Sequence, residues 1–338
     1  MTNAEVVGCE GEPGDFRVTV RRHPRYVDEE KCVACGLCVP ACPQVGGNEF
    51  DMGLKARKAI YRPFPQSVPA TYVIDPESCL NFTPHLDERQ KRRLAKMAKY
   101  KRKVDPSYPP NILVCGHCTD VCEVDAIDFD EMPSEVELDV GSVLIAVGFQ
   151  EFDARALGAY GYGRLPNVVT SLELERMLNA SGVTRGHVVR PTDLETPKRI
   201  VFIQCVGARG EGGRPYCSRF CCMNAVKDSM LIRQHDPEVE EISILYTDLR
   251  AFGKGFDDFV QRVHHYAHVL LGELEGALAE AAVGEETVLL AELHEIAIHR
   301  NTSLGLCKGE FLPFGSSRPV PAPVPGLTEQ PPVQRGPN

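Results

Sequence analysis

Residues 32 to 43 read CVACGLCVPACP, four cysteines at intervals of two, two and three residues with a proline directly after the fourth. No other feature restricts the fold as strongly. A segment dense in Cys, Pro and Gly and poor in periodic apolar residues must organise around something other than side chains. The C-x2-C-x2-C-x3-C-P spacing says what: thiolates so placed wrap an iron–sulfur cubane, the close trio gripping three irons while the fourth cysteine points away to another cluster. A second array is therefore required, and Cys79, Cys115, Cys118 and Cys122 supply it, with the usual first gap widened to 35 residues.

Carried through, this crossing assigns Cys32, Cys35, Cys38 and Cys122 to one [4Fe-4S] cluster and Cys42, Cys79, Cys115 and Cys118 to the other. Two readings compete with it. A C-x2-C pair also suits tetrahedral zinc, although zinc needs no interleaved run of this form. The tetrapeptide CGHC at 115 to 118 matches a redox-active dithiol at a helix N-terminus, but Cys122 follows at the cluster spacing and no Trp precedes it.

Composition sets the outer bounds. The chain of 338 residues is 43% apolar and 25% charged, ordinary for a globular protein of two domains, and its fourteen cysteines are clustered rather than scattered. A net charge of -10 makes nucleic acid or an anionic membrane an unsuitable main partner. The N-terminal stretch lacks the charged and apolar regions of a signal peptide, and no run is long and apolar enough for a membrane span. The expected location is cytoplasmic.

The alternation in FRVTVRR (16 to 22) predicts a short opening strand. After residue 134 the character changes. EVELDV, SVLIAVGF and RIVFIQCVG read as strands, the last two as the continuous apolar runs of a buried parallel sheet. SLELERMLNASG (171 to 182) reads as a helix with a Ser cap and a terminal Gly, and 199 to 250 as a βαβ unit whose helix runs to about His235. VLLGELEGALAEAAVGEE, from Val269, is compatible with an acidic helix, and residues 315 to 338 form a Pro-rich tail expected to be disordered.

A further cysteine group stands in YCSRFCCMNA, where Cys217, Cys221 and Cys222 open the predicted helix and Cys205 ends the strand before it. All four can converge at the carboxyl end of that strand. Buried, inert cysteines are the alternative.

Taken together, PRYVDEEKCVACGLCVPACP, GLKARKAIYRPFPQSVPATYVID, CGHCTDVCEVDAIDFD, GSVLIAVGF, KRIVFIQCVGARG, YCSRFCCMNAVK and YTDLRAFGKGFDDF resemble the flavin and iron–sulfur subunit of heterodisulfide reductase, its A-subunit, over roughly residues 5 to 265. The resemblance implies a fold of mixed class, α+β and α/β. A two-cluster ferredoxin-like module is inserted in a partial thioredoxin-reductase-like (Rossmann-type) flavoprotein domain. It implies that Cys205, Cys217, Cys221 and Cys222 ligate a third cluster, and that Gly148 and Lys227 lie nearest the isoalloxazine ring of FAD. Lys227 as an ordinary helix lysine is the other reading. Implied partners are other heterodisulfide reductase-like subunits and hydrogenase or formate dehydrogenase components, with the terminal substrate reduced on a partner.

The expected layout is the end of a flavoprotein half-domain (1 to 25), the ferredoxin-like module (26 to 134) with a basic insertion (80 to 114), an α/β flavoprotein-like part (135 to 268) and a divergent stretch (269 to 314). The chain departs from the family pattern in three places. Only about 30 residues precede Cys32, Val147 stands where Thr is usual, and no closing flavin motif is recognisable. A split or truncated member lacking the N-terminal FAD-binding half is the expectation, so FAD would require a second polypeptide.

Other motifs carry less. The glycines of CVGARGEGG do not fit G-x-G-x-x-G, and Asp248 sits where a ribose-binding acid often does. Nine Lys or Arg between Arg89 and Lys103 suit a solvated helix face, or a dock for an acidic redox partner. His264 and His268 read as surface histidines, and Cys9 and Cys307 as free thiols.

Overall fold

The computed structural model describes residues 1–82, 115–209 and 214–266, two strands within 269–273 and 287–291, and scattered helical positions between 89 and 103. Within these residues the chain divides into two units between Ile145 and Ala146. Among the described residues no helix is long and apolar enough to cross a membrane.

The first unit opens with a hairpin, β1 (Ala4–Glu12) antiparallel to β2 (Asp15–Arg22), and β7 (Ser134–Val140) pairs with the other edge of β2. Val18 and Val20 are its buried positions. EVELDV is a strand, as its pattern predicts, and it pairs antiparallel with β2. Its half-buried residues Val136, Leu138 and Val140 alternate with exposed Glu137 and Asp139, which is the signature of an antiparallel strand with one wet face. β1 has no clear sequence signal because a register shift between Val6 and Gly8 interrupts its alternation.

The cysteine-rich part is a pair of similar halves. Val27-Asp28 bridges to Ala126-Ile127, and Ile74-Asp75 meets Ala59-Ile60 through β5 (Ile60–Tyr61) and β6 (Val73–Ile74). In one half the Asp28 amide donates to the Ala126 carbonyl, and in the other Asp75 donates to Ala59, both at 2.8 Å. Each aspartate then turns the chain in the same way: its carboxylate accepts the amide two residues on (Glu30, Glu77), and its carbonyl accepts the amide of the cysteine four residues on (Cys32, Cys79). Around this frame lie β3 (Val45–Gly47), β4 (Ala56–Lys58) and the single-turn helices α1 (Cys38–Ala41) and α2 (His117–Asp120). Val27, Ile60, Ile74, Ala126, Ile127 and Phe129 form the core, and six of the cysteines pack against it.

The second unit is a five-stranded parallel sheet in the order β11-β10-β9-β12-β8, with β8 Val168–Thr170, β9 Arg199–Ile203, β10 Glu241–Tyr246, β11 Val269–Glu273 and β12 Thr287–Ala291. Helix α4 (Cys221–His235) crosses from β9 to its neighbour β10, the βαβ unit read from the sequence. Val201 and Ile203 pack with Leu245, Val168 and Ala154 on one face, and the alternate residues Ile200, Phe202, Ile242 and Ile244 are also fully buried. A sheet covered on both faces requires continuous apolar strands, as β9 has. Helices α3 (Ser171–Leu178) and α5 (Phe256–Tyr266) and the short 3-10 helices Ala154–Ala156 and Gly158–Tyr160 also belong to this unit.

Three expectations need correction. SVLIAVGF forms no strand. Leu144 is 93% exposed and Ile145 and Val147 are more than half exposed, because the apolar run meets no neighbouring strand among the described residues. The cap of α3 is Thr170 rather than Ser171: its hydroxyl accepts the Glu173 amide while the Glu173 carboxylate accepts the Thr170 amide, a capping box. Val269–Glu273 is a strand where an acidic helix was expected, since its hydrogen bonds go to β10. The tail from 315, Cys307 and His268 lie outside the described residues.

Candidate metal centres

Two cavities in the first unit are each lined by four cysteines. Cys32, Cys35, Cys38 and Cys122 line one, with Val27, Tyr72, Ala126 and Ile127. Cys42, Cys79, Cys115 and Cys118 line the other, with Ile60, Ile74 and Phe129. Each group therefore takes three cysteines from one array and the last from the other. The chain path makes this unavoidable: α1 carries Cys38 and Cys42 at its two ends, so the short helix delivers them to different cavities, and α2 does the same for Cys118 and Cys122. Both cavities are small and partly open to solvent. A single zinc ion would draw its four sulfurs to within about 2.3 Å of one point.

Burial pushes the Cys38 and Cys118 thiols up to about 12 and Cys79 up to about 11, with neighbouring thiols adding to the effect. Low polarity disfavours isolated thiolates here, so binding of a cationic centre must displace these protons. Backbone amides are already aimed at sulfur, as in the Ala126 N–H to Cys122 Sγ contact at 3.3 Å. His117 Nδ1 lies 3.2 Å from Cys115 Sγ within the CGHC tetrapeptide, yet Cys115 and Cys118 face the cavity shared with Cys42 and Cys79.

The second unit gathers the remaining group. Cys205 follows β9 with φ of 63°, Cys217 lies before α4, and Cys221 and Cys222 are buried in its first turn. Cys221 and Cys222 share a hydrogen bond that holds the proton on Cys221 and favours thiolate on Cys222, whose field also includes Cys205 and Cys217. The first-turn amides of a fifteen-residue helix add positive potential at that point. The Arg219 amide donates to Cys217 Sγ at 3.3 Å, and the Arg209 guanidinium lies 3.9 Å from Cys205 Sγ. Sequence reasoning missed Arg209. It ion-pairs with Asp248, which also holds Arg250 at 3.0 Å. The acid singled out for ribose binding is thus engaged by two arginines.

Gly207 explains how the loop packs. It has φ of 71°, and a Cβ there would overlap the Phe152 ring. Gly148 also has a positive φ, 68°, with open space where a Cβ would stand. Lys227 projects from α4 into an ion pair with Glu175 and, at 2.9 Å, Asp228, which is fully buried. At the described positions between 89 and 103 the basic residues Arg89, Arg92, Arg93, Lys96, Lys99 and Lys103 are helical and exposed.

The 4Fe-4S binding domain family matches residues 25–45. The chain is 45% identical over 263 residues, 78% of its length, to the iron–sulfur A-subunit of the CoB-CoM heterodisulfide reductase of Methanocaldococcus jannaschii. It is 43% identical over 85% of its length to the first of the iron–sulfur A-subunits of the Methanopyrus kandleri CoB-CoM heterodisulfide reductase. A third relative, 44% identical over 78% of the chain, is the A-subunit of the H(2)/formate:CoB-CoM heterodisulfide,ferredoxin reductase of Methanococcus maripaludis. The aligned regions are 35%, 38% and 35% of those proteins, so the chain spans about a third of the length of the curated relatives it matches. Over the stretch it shares with them, the chain belongs to the family of heterodisulfide reductase A-subunits.

Proposed function

We propose that this chain is an iron–sulfur electron-transfer subunit of a heterodisulfide reductase-like complex. Cluster one would be held by Cys32, Cys35, Cys38 and Cys122, and cluster two by Cys42, Cys79, Cys115 and Cys118. Cys205, Cys217, Cys221 and Cys222 would hold a third. The observation that carries the reading is the pair of four-cysteine cavities, each drawing on both arrays. When bound, such clusters accept and release single electrons. The chain's own part is to hold sulfur, exclude water with Val27, Ile60, Ile74 and Phe129, and direct N–H groups at the thiolates to set potentials. No side chain need act as acid, base or nucleophile.

The relatives' names support the proposed partners, and the location and flavin site follow the family resemblance. Partners would be the other heterodisulfide reductase-like subunits and a hydrogenase or formate dehydrogenase component, in the cytoplasm, with the disulfide reduced on a partner. The second unit would be part of a Rossmann-type flavoprotein domain. FAD would contact Gly148 and Lys227, and Lys227 would then have to leave its pairing with Glu175 and Asp228. Reduction by dithionite under anaerobic conditions tests the central reading. The broad visible absorption of the reconstituted protein should bleach, with paramagnetic signals from reduced cubanes. A colourless protein with bound zinc overturns the reading in favour of a zinc-stapled scaffold.

A further inference from the structure

Of the eight cysteines around the first unit's two cavities, Cys35 alone is exposed; the other seven are half-buried. The mouth of its cavity is apolar. Val33 and Val124 line it and are 67% and 39% exposed, and Leu37, next to the lining residue Gly36, is 49% exposed. In the other cavity Ile60, Ile74 and Phe129 are buried and Leu80 is half-buried, so none of its large apolar lining residues is exposed. Single exposed valines are common, but three apolar side chains gathered around an exposed thiol form a patch.

The flanks of that patch are acidic. Glu29 and Glu30 lead into Cys32, and Glu123 and Asp125 stand on either side of Val124; all four are exposed. Lys31 lies among them, 3.6 Å from Asp28. An apolar centre brings two redox groups into contact, while a charged rim steers the encounter and sets the sign of the partner. We propose that this face is the docking surface for a redox protein with an apolar centre and a basic rim, and that electrons pass between the two through cluster one. The inference rests on the cluster reading above.

Cytochrome c, a basic protein with an exposed haem edge, is the probe. In the step followed, a dithionite-reduced cluster loses one electron and the ferric haem gains it, with no bond made or broken. The second-order rate should fall with rising ionic strength. Glu30→Lys with Glu123→Lys should lower the low-salt rate about tenfold. Glu10→Lys with Glu12→Lys, the same change in net charge at the turn end of the hairpin, should lower it less than about twofold. Iron and sulfide are measured on every sample. A wild type without clusters overturns the reading beneath the proposal. A cluster-bearing Glu30/Glu123 variant as fast as wild type, or no slower than the hairpin variant, overturns the proposal alone. If that variant loses iron, Val33→Gln with Leu37→Gln decides: a slower rate supports the docking face and an unchanged one removes it.

Discussion

Asn81 brackets Cys115 through both backbone polar groups of the cysteine: its Oδ1 accepts the Cys115 amide hydrogen at 3.0 Å and its Nδ2 donates to the Cys115 carbonyl at 2.8 Å. One side chain thus joins positions 34 apart in sequence, and brings Cys115 to where a C-x2-C partner of Cys79 would stand. Phe82 beside it packs at a tilt against Tyr26 and Phe129, with ring centroids 4.3 and 5.7 Å apart. The long insertion can therefore leave and return without disturbing the array.

Asn81→Ala removes two hydrogen bonds worth about 1 kcal/mol each. Cluster two should then be lost to a chelator about tenfold faster, a factor that corresponds to about 1.4 kcal/mol, while cluster one persists. Paramagnetic resonance of the reduced protein during chelation follows both. Equal loss of the two signals would show that Asn81 does not position Cys115.

Gly207→Ala places a methyl group against Phe152 at a φ of 71°. The backbone strain and overlap should cost about 2 kcal/mol or more and move the loop that begins at Cys205. The variant should retain the irons of the first unit and lose about four from the second. Full iron content would separate the loop from the third site.

Glu173 predicts a pH dependence. Burial raises its carboxyl from 4.5 to about 7, against hydrogen bonds from Thr170 and Tyr162 that pull the other way. Between those values the folded unit keeps a proton that the unfolded chain has released, so this contribution is fully present below about pH 4.5 and declines as pH rises to about 7. Its size is of order 1–3 kcal/mol. Thermal melting at pH 5 and pH 7 checks it: Glu173→Gln, which preserves a capping side chain, should flatten the fall seen in wild type. An unchanged difference assigns the pH dependence to other groups.

Lys227→Met tests the ion pair on α4. It leaves Asp228, fully buried, and the half-buried Glu175 without their cation. A loss of about 2–3 kcal/mol is expected in the chain without flavin, and Lys227→Arg should restore most of it. Unchanged melting of the Met variant would leave Lys227 free for the flavin.

The grouping of cysteines around the first unit's two cavities follows the spacing, since the single-turn helix between Cys38 and Cys42 delivers one to each cavity, whereas the spacing of Cys205, Cys217, Cys221 and Cys222 dictates no such group. Strand β9 and helix α4 were legible for the opposite reason, their burial being written as a continuous apolar run and a long segment. The stretch from 142 to 149 has the same apolar signature as β9 and is not a strand, since composition reports the wish for burial and not the presence of a neighbour to provide it. Arg209 and Asn81 left no signal in the sequence. Their roles depend on which backbone passes beside them, 34 positions away for Asn81 and 39 for the partner of Arg209.

Iron and acid-labile sulfide per chain, measured on anaerobically reconstituted wild type and Cys217→Ala, test the central claim most directly. Three cubanes require about twelve irons with matching sulfide in wild type and about eight in the variant. Stoichiometric zinc without sulfide contradicts the account entirely. An unchanged count in Cys217→Ala would remove the third centre and leave the two in the first unit.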